Sequence, residues 1–319
     1  MKPSMRHIVV LAGSCNMDLV CRLTALPAPG ETVLCHDFAA IPGGKGANQA
    51  TALARLGAEV AMLGAVGGDA YGNELLAGLK SSGVDVSAMQ VLADAPTGMA
   101  YIEVDAAGEN RIVVVPGANS RVDLDLARQY VSLLDEAAYL VMQLEIPLDT
   151  VCYLAQEARK RGVTVVLNPA PMPAELPQEL LANTGILVPN ETELARLTGR
   201  PVTPATAEAE GRGVLASGVG SVLVTLGEQG AVWILPSSNE TLRFAAHPVA
   251  VVDTTAAGDT FIGGLVAALA RGEDRRAAGE FASKAAALSV SRAGAQSSIP
   301  TIEEVGDAAL GVPTLGRCP

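Results

Sequence analysis

Two hydrophobic periods alternate along the chain. Short β-branched runs stand at Ile8–Leu11, Val60–Leu63, Tyr139–Gln143, Val163–Leu167, Ile186–Val188, Ser221–Thr225 and Val232–Leu235. Most are apolar throughout, the signature of strands buried on both faces of a helix-covered parallel sheet. Between them lie Ala- and Leu-rich runs of helical character at Ala47–Leu56, Tyr71–Ser81, Thr150–Arg161, Glu191–Leu197, Asp259–Ala270 and Arg275–Arg292. The alternation predicts an α/β fold of three layers, α/β/α, with a mostly parallel central sheet. Two stretches break the rhythm. Leu19–Ala40 is strand-like and punctuated by Pro27, Pro29 and Gly30; Gly98–Pro116 holds two period-2 runs, Met99–Val104 and Asn110–Val115, around Asp105–Glu109. The second reads as a hairpin. Together the two insertions predict a small antiparallel sheet placed as a lid, since lids exclude water from a cleft. The expected division is a main domain of residues 1–15, 42–96 and 117–319, with the β lid from 16–41 and 97–116.

Composition narrows the function classes. The chain has 319 residues, enough for a sizeable core without covalent staples. Its net charge is −12, which argues against sequence-independent nucleic-acid binding and against anionic membrane surfaces. The longest apolar stretch, Phe261–Ala270, is interrupted by two glycines and falls short of a membrane span. Ile8–Ala12 is too short for a signal-peptide core, and a first buried strand is the expected reading. The five cysteines (15, 21, 35, 152 and 318) are odd in number and form no Cys-x-x-Cys. Buried free thiols in a reducing cytoplasm are expected. His7, His36 and His247 are far apart and are read as structural or surface residues.

Five motifs carry candidate chemistry. In Asp253-Thr-Thr-Ala-Ala-Gly-Asp259, small residues precede an apolar helix that begins at Asp259 and follow Val249–Val252, read as the end of a strand. The unpaired N–H groups of a helix start suit a phosphate, and Asp259 beside it suits proton removal from an attacking hydroxyl. The competing reading is a simple helix cap. Gly43-Gly-Lys-Gly-Ala-Asn-Gln49 opens another helix with Lys45 and Asn48 as donors, and lacks the Walker A spacing. Asn16-Met-Asp18 follows the first strand, where α/β sheets bind ligands; Asp18 is suited to two neighbouring hydroxyls, or to an Asx turn. Asn190-Glu-Thr-Glu193 offers oxygen ligands for water on Mg²⁺, or an acidic first helical turn. Thr225-Leu-Gly227 is either a nucleotide-side loop or a turn into Val232–Leu235.

These motifs, with Asn168-Pro-Ala-Pro171 and Gly294-Ala-Gln-Ser-Ser298, run in order from Cys15 to Pro300 and resemble the ribokinase family of carbohydrate kinases. The resemblance implies ATP-dependent phosphorylation of D-ribose at its 5-hydroxyl, giving ribose 5-phosphate and ADP. It implies Asp259 as general base and the N–H groups of Ala256, Ala257 and Gly258 as an anion hole. Asn16, Asp18, Gly44, Lys45, Asn48 and Glu145 would hold the sugar, Glu145 being named by the resemblance alone. Asn190, Thr225, Gly227, Gly258 and Ser283 would attend the nucleotide, and Glu193 would hold Mg²⁺ through water. A K⁺ site would use Asp253 and Ser298 with Thr255, Ser289, Arg292 and Gly294. The lid would also form a homodimer contact. Ile41-Pro42 and Ser283-Lys284 depart from the family pattern, and the tail after Thr301 shows little helical pattern. A kinase for 2-deoxyribose or a nucleoside, and a sugar-sensing protein on a kinase scaffold, stay open. Retention of Asp259 favours catalysis over sensing. The absence of Gly-x-Gly-x-x-Gly after the first strand argues against a dinucleotide-dependent oxidoreductase.

Overall fold

The computed structural model describes residues 8–107, 109–236 and 241–310; His7 and Cys318 lie outside them. The strands are β1 (Ile8–Ala12), β2 (Asn16–Arg22), β3 (Asp37–Gly43), β4 (Val60–Gly67), β5 (Met89–Leu92), β6 (Gly98–Val104), β7 (Asn110–Val115), β8 (Ala137–Met142), β9 (Thr164–Leu167), β10 (Ile186–Leu187), β11 (Val222–Thr225), β12 (Ala231–Ile234) and β13 (Thr241–Phe244). The helices are α1 (Lys45–Arg55), α2 (Ala70–Ser81), α3 (Leu124–Tyr130), α4 (Leu148–Lys160), α5 (Gln178–Asn183), α6 (Glu191–Thr198), α7 (Ala207–Val214), α8 (Ala257–Ala270), α9 (Arg275–Val290) and α10 (Ile302–Asp307).

The main sheet has the order β13-β12-β11-β10-β9-β8-β1-β4-β5 and is parallel except where β12 pairs antiparallel with β11 and β13. β1 lies near the middle, and its alternation divides the interior. Val9 and Leu11 join a core with residues of α1, α2, α8 and α9. Val10 and Ala12 join a second core with residues of α3 to α7. One strand therefore seals two helical layers against one sheet, which is the expected three-layer α/β/α arrangement.

The second sheet has the order β3-β2-β6-β7. It joins two antiparallel pairs, β2 with β3 and β6 with β7, through a parallel contact between β2 and β6. Asp18, Ile41, Ala100 and Val114 share one face of this sheet, as do Val20, Ala39, Ile102 and Ile112 one pleat further on.

Several sequence expectations need correction. Val249–Val252 is not a strand; the N–H groups of Val252 and Asp253 turn to the Val290 carbonyl at the end of α9, so no neighbouring strand is met. The helix carrying Asp259 starts earlier, at Ala257, so Asp259 is its third residue and not its cap. The tail forms α10, closed by a Thr301–Glu304 capping box. The thiols are not uniformly buried: Cys15 is, Cys21 and Cys152 are half-buried, and Cys35 is exposed because it stands in the connection between β2 and β3. No helix among the described residues is long and apolar enough to cross a membrane; Phe261–Ala270 belongs to α8, buried in the core.

Candidate active site

Two helix starts meet at the carboxyl ends of the strands. α1 begins directly after Gly44, whose φ of 87° lies in the left-handed region. A Cβ at Gly44 would stand 2.7 Å from the Asn16 backbone nitrogen, so only glycine fits here. Gly44 has no side chain to cap the helix, and Glu145 supplies the acceptor from the bend after β8. Its Oε2 accepts the Lys45 N–H at 3.0 Å and the Ser14 hydroxyl at 2.5 Å. Ser14 Oγ in turn accepts the Gly46 N–H at 3.2 Å. Glu145 thus neutralises a helix start that glycines leave bare.

α8 starts on a strained residue. Ala256 is non-glycine with φ 59°. The left-handed turn gathers N–H groups at one point, the geometry of an anion nest. Among the described residues no acceptor serves the N–H groups of Ala256, Gly258 and Asp259, while that of Ala257 reaches the Thr254 carbonyl at 3.3 Å. Asp259 is 8% exposed. Its Oδ2 accepts from Asn48 Nδ2 at 3.0 Å and its Oδ1 from Gln49 Nε2 at 2.9 Å. Adjacent residues of α1 therefore orient both oxygens of one carboxylate on α8. Gln49 is fixed by Gln143, which donates to its Oε1 at 2.5 Å, and by Asn168 Oδ1 at 3.3 Å. Asn168 Nδ2 donates to the Val188 carbonyl at 3.1 Å, anchoring the network to the strand ends.

A cavity of about 240 Å³ opens here, lined by Lys45, Asn168, Asn190, Glu193, Thr225 and Asp259 and by Thr254, Ala256, Ala257 and Gly258. Its field is dominated by carboxylates. Asp18 is pushed up to about 7 by burial, then by Glu145 and Asp259, with Lys45 opposing. Burial pulls Lys45 down, yet Asp259, Glu145, Glu193 and Asp18 together hold it above its ordinary value. Burial raises Glu193, against the Asn190 N–H and Lys45. A single ammonium among four carboxylates suits a neutral polyhydroxyl ligand on one side and phosphate with its cation on the other.

The structure brings Asn16, Asp18, Gly44, Lys45, Asn48, Glu145 and Asp259 to one end of the sheet. Asn190 and Glu193 line the cavity and also form a capping box on α6, so the helix-start reading of that motif holds. Thr225 lines it at the end of β11; Gly227 starts the tight turn into β12 and is not among the lining residues. Ser283 lies elsewhere, buried on α9, with a hydroxyl that lacks a partner. Asp253 ties the α8 loop to the chain after α9: its Oδ1 accepts from Thr255 N–H and its Oδ2 from Gly294 N–H, both at 2.9 Å. Burial would raise Asp253, but those hydrogen bonds and Arg22 of β2 hold it below the usual range. No described donor reaches the carbonyls of Thr255, Arg292 and Gly294, whereas the hydroxyls of Ser289 and Ser298 turn to nearby carbonyls. The described residues contain no cluster of three or more His, Cys, Asp or Glu fit for a metal ion.

Sequence reasoning gave no site role to Ser14, Gln49, Gln143, Asn119 or Asn168. Gln49 and Asn168 sat inside motifs singled out for other residues. Asn119 donates to Asn16 Oδ1 at 2.7 Å from a segment more than 100 residues away, and no local pattern marks it.

Comparison with known proteins agrees with this geometry. The pattern described as pfkB family carbohydrate kinase matches residues 6–302. The ribokinase of Schizosaccharomyces pombe is 44% identical over 311 residues, covering 94% of this chain and 97% of that protein. The deoxyribokinase of Salmonella typhi is 36% identical over 303 residues, with 94% and 97% covered. The structure of Arabidopsis thaliana ribokinase complexed with ribose and ATP superimposes with a TM-score of 0.87 at 33% identity, over 93% of this chain and 96% of that one. The buried aspartate at a nest of free N–H groups thus sits in a chain that belongs to the pfkB family of carbohydrate kinases, on its ribokinase-like branch.

Proposed function

We propose that this chain transfers the γ-phosphoryl group of ATP to the 5-hydroxyl of D-ribose, giving ribose 5-phosphate and ADP. The observation that carries the reading is Asp259: a buried carboxylate, oriented through both oxygens, on the first turn of a helix where the N–H groups of Ala256, Gly258 and Asp259 lack acceptors among the described residues. Two amide donors leave lone pairs on each oxygen, so the carboxylate still accepts a proton from the attacking hydroxyl. The N–H groups of Ala256, Ala257 and Gly258 face the charge that develops on the transferring phosphoryl oxygens. Phosphoryl transfer rests mainly on positioning and charge stabilisation, and this site supplies both.

Asp18, Asn16, Gly44, Lys45, Asn48 and Glu145 bind the sugar. The Asn48 Oδ1 is buried without a partner among the described residues. Asn190, Thr225 and Gly227 serve the nucleotide side, with Ser283 near the base. Each oxygen of the Glu193 carboxylate accepts one hydrogen bond from Asn190 and keeps a lone pair for water on a hydrated Mg²⁺, which Glu193 would hold through that water. When bound, Mg²⁺ neutralises phosphate charge. The carbonyls of Thr255, Arg292 and Gly294, beside Asp253, Ser289 and Ser298, fit K⁺, which supplies positive charge behind the anion hole. The four-stranded sheet acts as a lid over the sugar and as the contact of a homodimer. Free thiols at Cys21 and Cys35 accord with a reducing cytoplasm.

A second reading, a 2-deoxyribose kinase, is favoured by one observation, the 36% identity to a deoxyribokinase. An ADP-release assay with Mg-ATP and K⁺ decides between them. We expect kcat/KM for ribose at least about tenfold above 2-deoxyribose, fructose and adenosine, because the diol-binding groups would stand unpaired without the 2-hydroxyl. Preference for 2-deoxyribose supports the second reading. Ribose binding without turnover on any acceptor supports a sensor.

A further inference from the structure

We infer that Asn119 is a positioning residue that sets the hydrogen-bonding polarity of Asn16 toward the acceptor sugar. This rests on the reading that Asn16 binds that sugar. Asn119 is 1% exposed and sits in the turn Gly117–Arg121, directly after β7 returns to the main domain. Its amide clasps the main chain of Cys15 from both sides: Oδ1 accepts the Cys15 N–H at 2.9 Å, and Nδ2 donates to the Cys15 carbonyl at 3.1 Å. An amide's oxygen and nitrogen are interchangeable in shape, so orientation has to follow from partners of known polarity. A backbone N–H only donates and a carbonyl only accepts, so Cys15 fixes which end of Asn119 is which. The same Nδ2 then donates to Asn16 Oδ1 at 2.7 Å.

The consequence falls on Asn16. Its oxygen is engaged by Asn119, and its Nδ2 has no protein acceptor among the described residues. That Nδ2 is not among the buried polar atoms left without a partner, so it stays accessible to a ligand. Asn16 therefore presents a donor to the sugar, while the carboxylate of Asp18, two residues along β2, presents an acceptor. A diol whose one oxygen accepts and whose other hydrogen donates matches this pair. Gly98 belongs to the same arrangement. A Cβ there would lie 2.2 Å from Asn119 Nδ2 and 2.4 Å from Asn16 Oδ1, so the missing side chain at the start of β6 makes room for the contact. The two segments of the lid thus meet the sugar loop through one amide.

The test is Asn119→Asp with its double-mutant cycle. The carboxylate keeps an acceptor for Cys15 N–H but has no donor for Asn16. Asn16 then turns its own Nδ2 toward position 119 and shows its oxygen to the sugar. We expect KM for ribose to rise by about tenfold, the effect of one mismatched buried hydrogen bond, with kcat within about threefold. In an Asn16→Ala background the same substitution should change KM by less than about twofold, because no amide remains to orient. A full effect in that background, or an unchanged KM in the single variant, overturns the inference. Asn119→Ala removes the donor without adding charge and repeats the test if the charged variant fails to fold. Loss of folded protein in both variants makes Asn119 purely structural and also overturns it. If the wild type prefers an acceptor other than ribose, the proposed substrate fails, and the cycle is read on the preferred acceptor.

Discussion

Asp18 is the residue whose surroundings most change its chemistry. An exposed aspartate is ionised throughout the neutral range, but burial and two neighbouring carboxylates push Asp18 up to about 7. The sign follows directly. The folded protein binds this proton more tightly than the unfolded chain, so its stabilising contribution is complete at acid pH. That contribution is lost as pH rises from the ordinary aspartate range through about 7. With Asp18 in its proposed role, function runs the opposite way, because only the carboxylate would accept from two hydroxyls. kcat/KM for ribose should therefore climb with pH, with a midpoint near 7, and level off above it. In Asp18→Asn the midpoint should vanish and kcat/KM fall by roughly a hundredfold. A midpoint near 4 in the wild type would show that the carboxylate is not held in this environment. Asp18 and Asp259 were legible because each stands in a compact motif. Asn119 and Ser14 were not, because their roles arise only when distant segments fold together. Glu145 lies between these cases: nothing in Gln143-Leu-Glu145 distinguishes it from a strand end, and its acceptor role exists only against the start of α1.

At the scale of elements, the orientation of the Asp259 carboxylate depends on how closely α1 and α8 approach. Gly263 on α8 permits it: a Cβ there would lie 2.4 Å from Ala52 Cβ and 3.0 Å from the Leu53 nitrogen. α1 carries Asn48 and Gln49, and α8 carries Asp259, so spacing the helices apart stretches both orienting hydrogen bonds. Gly263→Ala should destabilise the protein by about 1–3 kcal/mol through overpacking. It should also lower kcat by about tenfold, since misplaced catalytic groups are costly. Thermal melting and kcat check the two effects together; a destabilised variant with full kcat would show that the tether does not depend on this packing. Long elements with strong periodicity, such as α1, α4, α8 and α9, were readable. Short ones were not: α3, α5 and α10 have seven, six and six residues, too few to display a face. Val249–Val252 misled because β-branched apolar composition is also what an exposed connection between a strand and a helix can contain; Val251 and Val252 are 65% and 61% exposed.

For the whole molecule, the lid poses a solvation problem. Ile41, Ile102, Ile112 and Val114 lie on the face shared with Asp18, and Ile112 and Val114 are 54% and 49% exposed. β7 is also an unpaired edge. Exposed apolar edges are ordinarily covered, and a second copy of the chain would cover this one. Sedimentation should find a particle of twice the 32.5 kDa chain mass. The pair Ile112→Lys and Val114→Lys should shift it to monomer at micromolar concentration and raise KM for ribose. A monomeric wild type with normal kinetics would remove the dimer from the account.

In the proposed reaction Asp259 takes the proton from the sugar hydroxyl at an N–H nest built for phosphoryl transfer. Comparing Asp259→Asn with wild type, turnover by ADP release and ribose binding by calorimetry, tests this step most directly. Ribose affinity should stay within about threefold of wild type and kcat should fall by about a thousandfold, the scale of a lost general base. Turnover close to wild type in this variant would contradict it.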